Sequence, residues 1–558
     1  MSRGRLVALV AVLFVGLAVL GAIVGPASST ETRYAQMGRE MLESGDWIVP
    51  TLNGAPLLEK PPFEYWVNAA SIGLFGVNDV AARVPSLVAG LLVLLVVAAG
   101  ARRFAPEGDL PEDRRARGLL AALALATMPG FLVQSYTIST DIWLVLATTI
   151  AGLALLESDR TNGRPGWKWT LVLHAAMGVS MLIKGPLTLG LVFGAGAITA
   201  LVRRNARLLR PFANPVGIAL FVAITVPWYL AANQRIPGLL HDLVTRRLFG
   251  GLASSADFHG HSVWIVWLPL VGAFPWLATL PRTLVSTLRG GGWRRGIAMP
   301  AFLLAASAPL LFTFSKARLF SYASPAFPWL ALLVAFGWPT PGTAPAGEAS
   351  KGRRLDLTRA TFGTAIVAVG AAVWIFAGID CPPLVAAVGC AGAALAVAAA
   401  LGLGLARAFD TPFARAALVV TGLLVAGGAG AVADPGQFDA SKSLADAIAR
   451  VRRPGEEVGA VMPYTGDWGL LPWYLEGPVR FFDYPSEPMI VAPEKFAPDR
   501  FLPKRDLAPW FRAKERRYLL IRKRDRDRKD YVADVPSYLL AECGRYVILT
   551  NLPLDAGR

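Results

Sequence analysis

Long apolar runs separated by short polar stretches fill the first 433 residues of this chain. Each run is about 18–22 residues, the length of a helix that crosses a bilayer, and about thirteen can be drawn. The first is roughly Leu6–Gly25, and the others begin near Val80, Gly118, Ile142, Trp169, Pro186, Pro215, Val263, Ala298, Phe320, Thr361, Pro382 and Ala416. The runs lack the alternation of the roughly ten-residue strands that build membrane barrels. They predict an α-helical polytopic membrane protein. Small residues follow the first run at Ala27-Ser28-Ser29, but its long uncharged stretch reads as a retained helix rather than a cleaved signal.

The polar stretches alternate in charge. Arg102, Arg103, Arg114, Arg115 and Arg117 lie on one side, with Arg160, Arg164 and Lys168. Arg203, Arg204, Arg207 and Arg210, then Arg289, Arg294 and Arg295, and finally Lys351, Arg353, Arg354 and Arg359 join them. Such enrichment marks cytoplasmic loops. Residues 27–79 and 234–260, and the tail after about Asp434, then lie outside.

The first outer segment predicts two short helices. Tyr34, Met37 and Met41 share a face in Tyr34–Leu42, with Gly45 placed to end that helix. Phe63–Phe75, with Tyr65, Trp66, Ile72 and Leu74, resembles an interfacial helix. In the tail the apolar runs shorten while Pro and charge rise. Ser443–Val451 reads as a helix, and Val458–Met462, Tyr518–Ile521 and Tyr546–Leu549 read as strands. The domains expected are therefore 1–433, transmembrane with an outer first loop 27–79, and 434–558, a soluble α/β domain. Arg522–Lys529 reads as a solvated charged loop, with anionic lipid contact as the alternative.

Composition narrows the class. The chain has 558 residues, 54% of them hydrophobic, and a mean hydropathy of +0.47, too apolar for a soluble globular protein. The net charge of +16 is spread over many short loops, which argues for membrane topology and against nucleic acid as a partner. Cys381, Cys390 and Cys543 show no paired or metal-binding spacing.

The candidate chemistry falls on the outer side. Asp141 stands at the mouth of an apolar span, where a charge is costly and usually serves a function, although a helix N-terminus also favours a carboxylate. Glu31 opens a helix beside Arg33, as a first-turn acid or a general base. In Glu59-Lys60-Pro61-Pro62 the prolines fix an extended stretch. Lys60 is suited to a phosphate and Glu59 to a metal or sugar hydroxyl, against the plain reading of a surface ion pair. Arg33, Lys60, Arg83, Lys184, Lys316 and Arg318 lie on the side where cations are normally scarce, so an anionic ligand accounts for them better than snorkelling does. His259 and His261 could join Glu59 around zinc or magnesium, although histidine more often serves as a hydrogen-bonding group. His174 reads as a satisfied core residue; Trp468, Trp473 and Tyr474 fit a sugar platform or a domain core equally.

These residues bring a family into view. The run from Glu31-Thr32-Arg33-Tyr34 through Gly45-Asp46-Trp47 to Glu59-Lys60-Pro61-Pro62 resembles the aminoarabinose transferases, lipid-phosphate-dependent glycosyltransferases of the C superfamily. Arg83-Val84-Pro85, Thr140-Asp141, Lys184-Gly185-Pro186, the His259/His261 loop, Ser315-Lys316, Tyr322 and Leu471-Pro472-Trp473-Tyr474 follow in the same order. The resemblance implies about thirteen spans, a periplasmic C-terminal domain and a site at the outer face of the bacterial inner membrane. It implies transfer of 4-amino-4-deoxy-L-arabinose from undecaprenyl phosphate to a lipid A phosphate, which protects against polymyxin and other cationic peptides. Glu31, Asp141 and Lys60 would be catalytic, with Arg33, Tyr34, Arg83, Lys184, Lys316, Arg318 and Tyr322 holding the donor phosphate. One position departs: the family usually has Asp before the Glu, and this chain has Thr30. No nucleotide cofactor is expected, and the chain is expected to act as a monomer. The rival readings are transfer to another glycan or to a protein, an impaired enzyme, and a lipid or sugar transporter.

Overall fold

The computed structural model describes residues 29–106, 109–243, 245, 272–273, 276, 296–315, 319–337, 441–461, 471–475, 477–483, 493–526, 532, 535–543 and 546–553. The spans expected near Leu6, Thr361, Pro382 and Ala416 lie outside these residues, as does all but 272–273 and 276 of the one expected near Val263. The chain divides into two compact units. The first is Met1–Val19, Ser86–Tyr136 and Thr140–Gly430; the second is Leu20–Pro85, Thr137–Ser139 and Ala431–Arg558.

The first unit is helical. Its described helices include most of α3 (Asp79–Arg103), α4 (Pro111–Ala126), α5 (Pro129–Tyr136), α6 (Thr140–Arg160), α7 (Trp167–Lys184), α8 (Leu187–Arg203), α9 (Pro215–Arg235), α10 (Ala298–Phe314) and α11 (Ala326–Gly337). Three of them, α3, α6 and α9, are long and apolar enough to cross a membrane, and α4 with α5 makes a fourth if counted as one bent span. The chain is thus a multi-pass membrane protein. Helix ends follow local chemistry. Asn214 caps α9 by accepting from the Gly217 amide at 3.0 Å, with Pro215 in the first turn. Gly185, at φ 74°, ends α7 before Pro186.

Sequence pattern predicts one continuous span from Gly118, but the helix breaks. Thr127 ends α4, Pro129 supplies no amide to continue it, and α5 leaves at 74°. The Trp276 indole donates to Thr127 Oγ1 at 2.8 Å. Helix α6 is the most buried span, and a Cβ at its Gly152 would stand 2.2 Å from the Trp329 ring. His174 is buried with Nδ1 2.9 Å from the Thr170 carbonyl, but its Nε2 has no partner among the described residues, so it is only half satisfied.

The second unit joins the first outer segment to the tail. Helix α1 (Ser29–Ser44) ends at Gly45, whose φ of 70° suits a left-handed cap. Tyr34, Met37 and Met41 are buried as their shared face predicts. A hairpin, β1 (Thr51–Leu52) and β2 (Ala55–Pro56), turns through Asn53-Gly54, both at positive φ. Helix α2 (Phe63–Phe75) packs on α1 so closely that a Cβ at Gly38 would meet Asn68 Cβ at 2.7 Å.

The tail contributes α12 (Ser441–Val451), β3 (Glu457–Val461), β4 (Val479–Phe482), β5 (Phe501–Leu502), β6 (Arg517–Arg522), β7 (Tyr538–Cys543) and β8 (Tyr546–Thr550). The sheet order is β5-β4-β3-β6-β8-β7, parallel through β6 and antiparallel beyond it. Residues alternate between two cores. Val458, Ala460 and Leu520 share one with Tyr34, Met41, Leu52 and Tyr65. Val461, Leu519 and Ile521 face the other, with Trp510 and Phe511. Arg522 is the buried end of β6 and Asp525 is buried after it, so the charged run is not wholly the solvated loop its composition suggests.

Candidate functional site

The predicted site residues that are described form two groups, each within one unit. In the second unit, Glu31 lies in the first turn of α1 and Arg83 in the first turns of α3. Both are buried, and Arg83 Nη1 donates to Glu31 Oε1 at 2.9 Å. The Ile138 amide donates to the same oxygen at 2.9 Å. Such a carboxylate is held in a fixed orientation.

On α1, Arg33 forms an ion pair with Glu59 at 2.8 Å, its guanidinium 5.7 Å from the Tyr34 ring centroid. Tyr34 meets the Tyr65 ring edge-on at 5.9 Å. Lys60 Nζ lies 3.8 Å from Glu59, and the Lys60 side chain keeps 23% of its surface exposed. Of the three cations in this group, Lys60 is the most exposed.

The loop that presents Glu59 and Lys60 is fixed from behind by Glu40. Its carboxylate accepts from the Asn53 amide at 2.6 Å, the Gly54 amide at 3.0 Å, Thr51 Oγ1 at 2.8 Å and Gln36 Nε2 at 2.9 Å. Asn53 Nδ2 donates to the Val479 carbonyl at 2.7 Å, tying the hairpin to the edge of the β3–β4 pair. Sequence reasoning passes over Glu40, though the Asn53-Gly54 dipeptide that announces the hairpin is visible.

In the first unit, Asp141 sits in the first turn of α6 and Lys184 in the last turn of α7, each favoured there by its helix dipole. The two side chains form a short ion pair with about a tenth of each exposed. Lys184 Nζ is 4.4 Å from the Tyr322 ring centroid, and Tyr322 packs on Phe312 at 4.3 Å. Just inside this pair, Thr148, Ser180 and Thr188 bring three buried hydroxyls together, with Thr188 Oγ1 2.9 Å from Thr148 Oγ1 and 2.7 Å from Ser180 Oγ.

Lys316, Arg318, His259, His261 and Trp468 lie outside the described residues. Glu59, the described member of the expected metal set, already has Arg33 and Lys60 beside it, so a cation would enter against two positive charges. Among the described residues no group of three His, Cys, Asp or Glu side chains could hold a metal. Trp473 is buried with its indole on Asp79 at 3.0 Å, and Lys442 pairs with the same Asp79 at 2.7 Å. That Trp is a core residue rather than an open platform.

The chain thus combines a helical membrane unit, an α/β unit and two carboxylate–cation groups. Residues 5–241 match the family model for dolichyl-phosphate-mannose-protein mannosyltransferases. The whole chain shares its fold with ArnT from Cupriavidus metallidurans, in a crystal structure bound to undecaprenyl phosphate (TM-score 0.80, 22% identity, 99% of each chain covered). The apo structure of that protein matches at a TM-score of 0.79 with 23% identity over 98% of each chain. The fold is that of these two ArnT structures.

In sequence the chain resembles the aminoarabinose transferases. It is 32% identical over 327 residues to the undecaprenyl phosphate-alpha-4-amino-4-deoxy-L-arabinose arabinosyl transferase of Pectobacterium carotovorum subsp. carotovorum, covering 57% of this chain and 56% of that protein. It is 30% identical over 356 residues to the same-named protein of Erwinia tasmaniensis, covering 62% and 61%. The matched stretch thus spans little more than half the length of these curated relatives.

Proposed function

We propose that this protein is a glycosyltransferase of the bacterial inner membrane, taking an aminoarabinose unit from undecaprenyl phosphate and placing it on a lipid A phosphate at the periplasmic face. The observation that carries the proposal is the Asp141–Lys184 pair, two charges kept at the end of the most buried span, where their cost implies use. An acceptor phosphate oxygen attacks the anomeric carbon of the sugar. The bond from that carbon to the donor phosphate oxygen breaks, and undecaprenyl phosphate departs with the electron pair, inverting the centre. A phosphate leaving group needs little acid help; it needs cations.

Lys60 is assigned to the donor phosphate. A phosphate drawn to Lys184 competes with Asp141 and frees that carboxylate to orient the acceptor. Glu31 and Arg83 hold each other and the Ile138 backbone, a positioning role rather than contact with substrate. Arg33 and Glu59 set the Lys60 side chain. Lys316 and Arg318 remain assigned to the donor by the resemblance. The acceptor is a phosphate already ionised at neutral pH, so Thr30 in place of the family's Asp is tolerated.

The test is turnover of purified protein with synthetic undecaprenyl-phosphate aminoarabinose and lipid A, read by mass spectrometry. Lys60→Ala is expected to lose about 10²–10³ in rate, the usual effect of removing one group that stabilises developing charge. Unchanged turnover in that variant removes the role given to Lys60. Wild-type protein that consumes donor only with a different glycan or a protein replaces lipid A as the acceptor.

A further inference from the structure

At the opposite end of α6 and α7 from the Asp141–Lys184 pair, charges form two layers. The inner layer is neutralised. Glu157 accepts from Arg103 at 2.8 Å and Arg160 at 2.9 Å, Asp159 pairs with Arg203, and Arg203 Nη2 also donates to the Gly296 carbonyl at 2.9 Å. The outer layer has no acid. Arg164, Arg204, Arg207 and Arg210 are exposed, and none has an acidic partner among the described residues. Lys168 is likewise exposed, its ammonium 5.7 Å from the ring of Trp167, which keeps 69% of its surface open.

Two separate loops supply these cations, yet they are built as one platform. The turn after α6 carries Asn162 at φ 53° and Gly163 at φ 76°, and α8 ends at Arg204 with φ 52°. Gly163 rests so tightly on the 3₁₀ segment Ala206–Ala213 that a Cβ would fall 1.9 Å from the Arg207 carbonyl oxygen. Asn205 Nδ2 donates to Asn162 Oδ1 at 2.6 Å, and Ser158 Oγ donates to the Leu208 carbonyl at 2.9 Å. Leu208 is buried beneath, so the arginines on either side of it point away from the core.

Charge that merely sets topology needs no such assembly; it acts while loops are still unfolded. We propose that this platform binds the phosphate headgroup of an anionic phospholipid of the inner leaflet, a diphosphate lipid such as cardiolipin above all. The arginines take the phosphates and the Trp167 indole sits at the interface beside the acyl chains. The site is distinct from both groups assigned to glycosyl transfer and does not depend on that assignment.

The experiment is native mass spectrometry of the purified full chain titrated with cardiolipin, phosphatidylglycerol or phosphatidylcholine. Wild type is expected to retain cardiolipin best and phosphatidylcholine least. The triple variant Arg204→Ala/Arg207→Ala/Arg210→Ala is expected to bind cardiolipin about tenfold or more weakly. Gly163→Ala removes no charge but forces the two loops apart, and it is expected to weaken cardiolipin binding too. Equal retention of all three lipids by wild type, or undiminished cardiolipin binding by the triple variant, overturns the proposal. Loss in the triple variant with full retention in Gly163→Ala overturns the platform and leaves only diffuse charge attraction. Cooperative thermal unfolding in lipid-free detergent for all three proteins, at a lower midpoint for Gly163→Ala, keeps misfolding out of the comparison.

Discussion

Removing Arg83 should cost this protein more than removing almost any other surface-sized side chain, and the cost should vanish in part when Glu31 goes with it. Both side chains are almost wholly excluded from solvent, 1% and 3% exposed, with the charged atoms 2.9 Å apart. At an effective dielectric of about 20 their attraction is on the order of 6 kcal/mol. Arg83→Met takes from the buried Glu31 the guanidinium that donates to it, a loss of about 3–5 kcal/mol. Glu31→Gln keeps the shape and an oxygen for Ile138 but takes the carboxylate charge from beside the buried guanidinium, at a similar loss. The double variant strands no charge and should lose far less than the sum, giving a coupling energy of at least about 2 kcal/mol. The assay is unfolding of the four proteins in mixed SDS micelles, followed by tryptophan fluorescence. Additive losses would refute the reasoning, since they would mean that each group draws its stability from elsewhere. Turnover of the same proteins separates holding from chemistry. If Glu31 only positions, the double variant recovers activity along with stability; if Glu31 is the base, stability returns and turnover does not.

Two further outcomes follow from single contacts. Thr188→Val takes away the hydroxyl that both Thr148 and Ser180 use, and in a membrane interior this should cost about 0.6–1.7 kcal/mol in the same unfolding assay, with turnover nearly kept. Glu40→Ala leaves the Asn53 and Gly54 amides of the hairpin without their acceptor, about 1–3 kcal/mol for each such group that stays buried. Because that hairpin leads into Glu59 and Lys60, Glu40→Ala should raise KM for the donor more than it lowers kcat, and Glu40→Gln should restore much of it.

The helices were legible because their signal is local. Phe63–Phe75 and the starts at Pro215 and Ala298 follow from apolar runs bounded by Pro, Gly and Asn. Strands β3, β6 and β8 were legible as compact β-branched and aromatic runs. β4 escaped because Arg480 interrupts its apolar pattern, and β7 because, as an edge strand, it keeps Tyr538 and Leu539 exposed. The site was legible as residue types and not as pairs. Glu31 meets Arg83 across 52 positions and Ile138 across 107, and no spacing rule spans such gaps. The Asp141–Lys184 pair joins one helix start to the next helix end, which the sequence shows only once the two spans are known to be antiparallel neighbours.

Among the described residues, charge within the first unit lies at helix ends. In α6 the acids stand at the two ends, Asp141 at one and Glu157 and Asp159 at the other, roughly 24 Å apart at 1.5 Å per residue. Helices α10 and α11 carry no ionised side chain at all, and α8 and α9 carry one each, in the last turn. Between the ends lie the Thr148–Thr188–Ser180 hydroxyls, the His174 imidazole and the Trp276–Thr127 bond at the α4–α5 break. A carrier of anionic lipid or sugar binds its cargo near the midplane, on broken helices that turn dipoles or charges toward it. The one break described here offers a hydroxyl already taken by an indole. Asp141 and Lys184 stand instead where α6 begins and α7 ends, at the rim rather than at that depth.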